Sequence, residues 1–288
     1  MDEMDDLSPG SPVRRWRLGK RLRELREAAG KSQDDAAGYL GVKRPTISRL
    51  ENGRNAILSK NVKFLCQLYG VGAPEVDMLV RQAEESNDRG WWLSYSDTMP
   101  NWFETYVGFE ADASAIWTYE SELVPGLLQV PSYVRAVKAV HEGDGDEAET
   151  AKSISFRLAR QKRLEVRAPV LRAVLNEAVL RRPFGSPEDM RQQIQHLIDV
   201  SLRENVTIQI LPFDAGIHTS MKGPFSMLTL PEEPAPNFVY LEHQDGAVYL
   251  ERPADLARYT QAFEALVKRA LSPNLTRDFL ASLTSGRQ

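Results

Sequence analysis

The sequence predicts two domains of different class: an all-α N-terminal domain of about five helices and an α+β C-terminal domain with an antiparallel sheet. In the first 86 residues, apolar side chains recur at helical spacing between turns marked by Gly and Ser. Beyond them, short alternating runs are mixed with amphipathic segments. The predicted borders are a disordered tail over 1–13, the helical domain over 14–86, an aromatic-rich connector over 87–102 and the α+β domain over 103–283.

Charge is divided unevenly along the 288 residues. Residues 14–63 carry 14 Lys and Arg against 5 Asp and Glu, whereas the rest of the chain carries 22 basic and 35 acidic residues. A basic segment joined to an acidic body is typical of a nucleic-acid-binding module attached to a domain of another kind. A solvated basic face without a partner is the alternative.

The bulk composition predicts a cytoplasmic protein. No segment is apolar and long enough to span a membrane, and the start, MDEMDDLSPGSP, lacks the basic and apolar regions of a signal peptide. The single cysteine, Cys66, excludes an intramolecular disulfide and lies among core-type residues, so we expect a buried, inert thiol.

Two helices precede the most informative segment. In WRLGKRLRELREAAG, Leu18, Leu22 and Leu25 recur at helical spacing, and the segment closes at a glycine that can serve as a C-cap. Ser32 is a natural N-cap for the second helix, QDDAAGYL, which ends at Gly41.

The third helix, KRPTISRLENG, combines an apolar face with a donor-rich one. Ile47 and Leu50 lie three residues apart and point inward. The opposite face carries Pro45, Ser48, Arg49 and Asn52, with Arg44 at its N-terminal edge. This build predicts a recognition helix that enters the major groove of double-stranded DNA by its N-terminal residues. A small helical bundle that only packs or mediates protein contacts is the alternative.

The segment SQDDAAGYLGVKRPTISRLENGR resembles the XRE type of helix-turn-helix, the class of the lambdoid phage repressors, over about residues 16–72. By that resemblance the phosphate-contacting positions are Gln33, Lys43, Asn52 and Arg54, and the base-facing positions are Arg44, Pro45, Thr46, Ser48 and Arg49. Phosphate contacts set the register on DNA, and base contacts set sequence preference. Pro45 cannot hydrogen-bond through its side chain, so it packs against a thymine methyl or leaves its base pair unread.

The segments that follow close the helical domain and lead to the second one. We expect Ser59 to cap NVKFLCQLYG and Pro74 to open PEVDMLVRQAEES. Eight aromatic residues then fall between Trp91 and Trp117. We interpret them as burying against the second domain or a second subunit, with an aromatic ligand cage as the weaker interpretation.

The second domain alternates predicted strands and helices. The predicted strands are AIWTYESELV, PVLRAVLNEAVL, VTIQILPF, PFSMLTLP, NFVYLEH and AVYLE. Ser186 begins a capping box for the helix after the second strand, and PADLARYTQAFEALVKRAL is predicted to form the last helix of the core.

The segments LVPGLLQ, RLARQ, NEAVLRRPFG, VTIQILPFDAG, KGPF and VYLE resemble a second family. It is the C-terminal domain of unknown function joined to XRE helix-turn-helix domains in actinobacterial regulators, including WhiJ-like regulators. The resemblance covers about residues 103–280. It implies a regulatory role in which this domain senses a small-molecule effector or a small acidic protein encoded nearby.

Catalytic and metal-binding patterns are missing from the sequence, so we expect neither an enzyme nor a cofactor. The four histidines are scattered, with no pair at metal-ligand spacing. Glu177, Glu242 and Glu251 form a conceivable but weak acid group. The long loop over residues 211–225 carries His218, Met221 and Lys222. With Trp117, these side chains make the predicted ligand or partner surface, although an ordinary β-connection is the slightly favoured interpretation of the loop.

The leading hypothesis is a sequence-specific transcriptional regulator that binds a palindromic operator as a homodimer and senses a signal through its C-terminal domain. The alternative is an antitoxin-like interaction protein that mainly binds a small acidic partner and uses DNA binding for autoregulation.

Overall fold

The computed structural model describes residues 12–53, 55–86, 91–143, 146–166, 169–231 and 237–285. The chain divides into two compact units, Met1–Ser94 and Tyr95–Gln288. The predicted tail lies almost entirely outside the described residues, and the predicted domain borders stay predictions.

The described residues of the first unit form five α-helices, as predicted. They are α1 (Pro12–Ala28), α2 (Gln33–Leu40), α3 (Arg44–Glu51), α4 (Ser59–Tyr69) and α5 (Ala73–Ser86). All five contribute to one apolar core, which includes Leu18 of α1, Ile47 of α3 and Leu79 of α5. Cys66 is buried in this core, and burial raises the pKa of its thiol to about 11, as expected for an inert cysteine.

Helix caps explain where α2 begins and ends. Ser32 accepts a hydrogen bond from the Asp35 backbone N–H, and the Asp35 carboxylate accepts one from the Ser32 N–H, which completes a capping box. Gly41 ends α2 in the left-handed conformation, at φ 68°. The predicted cap at Ser59 is wrong. Ser59 is the first residue of α4, its N-cap is Leu58, and the Ser59 hydroxyl donates to Glu84 instead.

The second unit surrounds a six-stranded sheet and is an α+β domain, as predicted. Its strands are β1 (Ala115–Glu120), β2 (Val170–Asn176), β3 (Val206–Leu211), β4 (Phe225–Thr229), β5 (Phe238–His243) and β6 (Gly246–Leu250). The order across the sheet is β3-β2-β1-β4-β5-β6. A 3₁₀ helix (Trp91–Thr98) crosses the border of the two units. The helices of the second unit are α6 (Asn101–Asp112), α7 (Pro131–Glu142), α8 (Glu147–Gln161), α9 (Arg163–Val166), α10 (Ala178–Arg181), α11 (Pro187–Val200), α12 (Pro253–Arg269) and α13 (Pro273–Thr284).

The sheet is mixed, whereas the sequence predicted an antiparallel one. β1 pairs with β2 and β2 with β3 in parallel, while the pairs β1–β4, β4–β5 and β5–β6 are antiparallel. The reason is connectivity, because helices separate β1 from β2 and β2 from β3, and parallel neighbours need such crossover connections. In the residues that the structure describes, no helix lies between β4 and β5 or between β5 and β6.

The two faces of the sheet have different neighbours. On β1, Trp117 and Tyr119 point to one side, where Trp117 stacks on Phe263 of α12 at a centroid distance of 5.3 Å. Thr118 and Glu120 alternate to the other side, which opens on a cavity. The sheet therefore has a closed apolar face under α12 and a second face that is partly polar.

Local signals hold for some helices of the second unit and not for others. Ser186 and Asp189 form the predicted capping box at the start of α11. Helix α13 was not predicted, although Ser272 caps it and its Leu280 is fully buried. The Thr276 hydroxyl of α13 accepts a hydrogen bond from the Ile210 N–H of β3, at 3.1 Å. This bond connects α13 directly to the edge strand of the sheet.

Candidate nucleic-acid interface

Helix α3 has a buried face and an exposed face, as the sequence predicted. Ile47 and Leu50 are buried in the core of the first unit. Arg44, Pro45 and Arg49 are exposed. Thr46 and Ser48 are half-buried at the margin of the exposed face. Among the described residues Arg49 makes no ion pair, so its guanidinium is available for a groove contact.

A buried ion pair holds the C-terminal end of α3. Arg26 of α1 binds Glu51 of α3 through two hydrogen bonds, Nε–Oε1 at 2.5 Å and Nη2–Oε2 at 3.0 Å. Gln33, at the start of α2, donates from Nε2 to Glu51 Oε2 at 2.9 Å. The hydrogen bonds from Arg26 to Glu51 raise the pKa of Arg26. Because one carboxylate joins three helices, it fixes the orientation of α3.

Two glycines let α1 approach the end of α3. A Cβ at Gly19 would lie 2.7 Å from the Glu51 carbonyl oxygen, and a Cβ at Gly53 would lie 2.6 Å from the Trp16 backbone nitrogen. Gly53 also has φ +66°, which favours glycine. Backbone contact at these two positions therefore sets how far α3 protrudes from the unit.

The sequence interpretation missed Arg26 and Gly19, although a signal for Arg26 was present. Arg26 continues the stripe of Leu18 and Leu22 at four-residue spacing, so a charged group falls on the inward face of α1. A buried arginine requires an acceptor, and the buried Glu51 is that acceptor. The close approach at Gly19 has no comparable signature in the sequence.

The predicted phosphate-contacting residues flank α3. Lys43 is exposed at the N-cap of α3, and Asn52 is half-buried at its C-cap. One amide hydrogen of Gln33 is already donated to Glu51, which fixes the direction of this side chain. Arg54 lies outside the described residues. Arg44 forms only a long, exposed ion pair with Asp34, at 3.9 Å, and such a pair contributes little stability.

Comparison with known protein families finds one match in each half of the chain. Residues 17–79 match a family described as a helix-turn-helix domain. Residues 103–282 match a family described as a domain of unknown function, DUF5753. The chain belongs to the DUF5753 family. Neither a curated protein nor a solved structure matches this DUF5753 chain.

The helix-turn-helix match and the geometry of α3 give this DUF5753 protein a DNA-binding domain, and transcription regulation is the role such a domain suggests. Among the described residues, no helix has the length and hydropathy needed to cross a bilayer. Within the same residues, no group of three or more His, Cys, Asp and Glu side chains could hold a metal ion.

In the DUF5753 domain, the four residues of the predicted ligand or partner surface differ in exposure. Trp117 is half-buried between Phe263 and the Arg172 guanidinium, so it is not an open ring. His218 lies 3.3 Å from the Tyr119 hydroxyl, and burial together with Arg269 lowers its pKa. Met221 and Lys222 are exposed.

The three glutamates of the weak acid group lie on or after three different strands. Glu177 follows β2 and accepts a hydrogen bond from the Phe213 N–H, while Glu242 lies on β5. β2 and β5 are three positions apart in the sheet, a separation of about 14 Å at the usual strand spacing. Glu251 follows β6 and is exposed.

Proposed function

We propose that this protein is a sequence-specific transcriptional regulator that binds a palindromic operator as a homodimer in the cytoplasm, at the nucleoid. It is not an enzyme in this proposal, and its C-terminal domain senses a ligand or a small protein partner. The observation that carries the proposal is α3, because its inward face is fixed by core and ion pair while its outward face presents cations.

The base-facing role of Arg44 and Arg49 follows from their exposure and their chemistry. A guanidinium offers two donors in a fork that matches guanine O6 and N7, and each good pair contributes about 1–3 kcal/mol of discrimination. Pro45 stands between them with no side-chain donor or acceptor. The base pair that it faces is therefore the one read least by hydrogen bonding.

The experiment is a fluorescence-anisotropy titration of the full chain on DNA carrying the promoter of its own gene. Arg49→Ala is expected to weaken binding about 5- to 150-fold and to relax preference at one base pair, because one bidentate contact is lost. Arg81→Ala is the matched control, since Arg81 is an exposed arginine on α5, outside the predicted interface. Equal affinities for specific and random DNA, or equal losses in both variants, would contradict the proposal.

The homodimer is proposed from the geometry of the motif. Two copies of α3 reach successive major grooves when they lie about 34 Å apart. Mapping protected sites in the native genome tests this point, because a dimer predicts paired half-sites one helical turn apart. Single, unpaired half-sites would show that the protein binds as a monomer.

An antitoxin-like interaction protein is the second candidate, and the loop over residues 211–225 favours it. Phe213, Ile217 and Met221 are exposed large apolar side chains within nine residues. Lys222 and Arg269 add positive charge, and Arg269 donates to the Ala215 carbonyl oxygen of the same loop. Apolar groups with basic neighbours fit a small acidic partner.

This candidate is tested with the full chain and the small acidic protein encoded nearby, if the genome carries one. Co-purification should be lost in Ile217→Glu, while Val140→Glu, at an equally exposed position on α7, should retain it. Retention of the partner by both variants would contradict a docking role for the loop.

A further inference from the structure

The C-terminal unit contains a cavity of about 700 Å³, a volume within the usual range for small-molecule sites. Its floor is the polar face of the sheet, where Thr118 and Glu120 of β1, Ser226 of β4 and Tyr240 of β5 lie side by side. Helices α6, α7 and α8 form its walls. The cavity therefore lies on the opposite face of the sheet from Trp117 and α12.

Glu120 is half-buried and faces this cavity. Its one hydrogen bond comes from Thr118 Oγ1, at 3.4 Å, and no Lys or Arg in the described part of the chain forms an ion pair with it. Burial, and then the like charge of Glu242, raise the pKa of Glu120 to about 8. A carboxyl group in this position needs either a proton or a cation from outside the chain.

The other charged residues of the lining do not supply the positive charge that Glu120 lacks. Arg160 binds Glu110 through two hydrogen bonds of 2.7 Å, Nε–Oε1 and Nη2–Oε2. Arg157 is enclosed beside this pair, and burial lowers its pKa to about 10, so it stays charged at neutral pH. With Glu120 ionised, the cavity lining carries four carboxylates, those of Glu110, Glu120, Glu122 and Glu242, and three cations, those of Lys138, Arg157 and Arg160. One further positive charge, supplied by a ligand, would make the lining neutral.

The aromatic walls of the cavity already stabilise a cation. The Arg160 guanidinium lies 5.2 Å from the Phe103 ring centroid and 5.9 Å from that of Tyr106. The Tyr106 ring in turn packs on the Tyr240 ring at a centroid distance of 4.3 Å, and Tyr240 lies on the same strand as Glu242. Aromatic faces attract ammonium and guanidinium groups and also cover apolar carbon. Such walls favour a ligand that combines a cationic group with apolar carbon.

We infer that this cavity binds a small organic cation, a primary ammonium group on an aromatic or apolar body, with Glu120 as the anionic anchor. The inference deepens the ligand-sensing part of the proposed function and rests on it only for an effect on DNA binding. Binding in the cavity is measured without DNA.

The same chemistry predicts that the ligand displaces a proton. Below pH 8 Glu120 is largely protonated when the cavity is empty, and the ammonium group must ionise it. Other titratable and charged groups face this position from three elements: Glu242 and Tyr240 from β5, Arg157 and Arg160 from α8, and Glu110 and Tyr106 from α6. Helix α7 adds Tyr133, whose hydroxyl oxygen accepts a hydrogen bond from the Val124 N–H, and also Lys138 and His141. Lys138 is already near Glu149, at 4.0 Å.

The test is isothermal titration calorimetry on the full chain at pH 7, with three probes of similar shape. 2-Phenylethylamine should bind, the neutral 2-phenylethanol should bind at least about tenfold more weakly, and the anionic 3-phenylpropionate should not bind. Titrations in buffers of different ionisation enthalpy should report release of close to one proton per amine. No binding of the amine at a concentration of about 10 mM would overturn the inference, because a site this weak would not be specific. Equal binding of the amine and the alcohol would also overturn it.

Glu120→Gln distinguishes the anchor from a general apolar pocket. Gln resembles the protonated carboxyl, so the variant should fold, and it should bind the amine at least about tenfold more weakly without releasing a proton. Glu165→Gln is the control, because Glu165 is an exposed carboxylate on α9 that pairs with Arg203 outside the cavity. Unchanged amine binding in a folded Glu120→Gln variant overturns the assignment. If the anisotropy titration finds no operator while calorimetry succeeds, the regulatory proposal fails and the binding site stands.

Discussion

At the residue scale, the buried Glu51 and the half-buried Glu120 have opposite environments. Glu51 is matched by Arg26 and Gln33, so its charge is used to join three helices. Glu120 has no such partner and shares its cavity with Glu242. A carboxylate inside a protein is structural where the chain supplies its cation, and it is a candidate binding group where the chain does not.

Glu120 also predicts a pH dependence of stability. Its folded-state pKa of about 8 lies above the value of about 4.3 for an unfolded chain, so the folded state binds more protons between these values. The free energy of unfolding of the C-terminal domain should therefore fall as pH rises from about 4.3 to 8, by at most about 1.4 kcal/mol per unit from this group. Urea unfolding of the full chain at several pH values measures it.

Glu120→Gln provides the control for this pH dependence. The amide does not titrate, so the variant should lose this part of the slope and should be more stable than the natural sequence at pH 9. An unchanged slope in the variant would show that Glu120 titrates normally in the folded state.

At the element scale, the position of α3 depends on how closely α1 approaches it. Gly19→Ala should destabilise the N-terminal domain by about 1–3 kcal/mol, because the added methyl group meets the rigid Glu51 carbonyl. Thermal unfolding followed by circular dichroism measures the loss.

Gly38→Ala is the matched control for that substitution. Gly38 is an exposed residue within α2, and a Cβ built there meets nothing within 4 Å. This variant should gain about 0.5–1 kcal/mol, since alanine loses less conformational freedom in a helix than glycine. A destabilising effect of similar size in both variants would contradict the close approach at Gly19.

Elements also differ in how far they could be predicted. α2 and α11 were predictable because their capping boxes are local in sequence. The cap at Ser59 failed because one hydroxyl can bind either its own helix or a neighbour, and Glu84 of α5 competes for it. The parallel pairs of β1, β2 and β3 were missed because strand direction depends on the crossover helices rather than on the strands.

At the scale of the whole molecule, charge separates DNA binding from the rest of the protein. Residues 14–63 carry the excess of basic groups, and the remainder of the chain is acidic. Affinity for DNA should therefore fall steeply with salt, with a log–log slope of about −0.9 for each phosphate that the domain neutralises.

Lys43→Gln tests this prediction with a single charge. Because Lys43 is exposed at the start of α3, its loss should reduce the slope by about 0.9 for each bound protomer and weaken specific and random DNA alike. Lys60→Gln removes the same charge from an exposed position on α4 and should leave the slope unchanged. Equal slopes for Lys43→Gln and the natural sequence would remove Lys43 from the phosphate contacts.

The sequence by itself determined the DNA-binding domain, because its caps, apolar spacing and exposed arginines all lie within one continuous segment. The α+β class also followed from short strand-like runs mixed with amphipathic helical segments. Only the tertiary structure decided the cavity and its charge balance. Its residues come from α6, β1, α8 and β5, so neither the missing cation at Glu120 nor the Arg160–Glu110 pair is visible until the chain folds. Groups distant in sequence shift one another's pKa values only when folding brings them together, through burial, charge and hydrogen bonding.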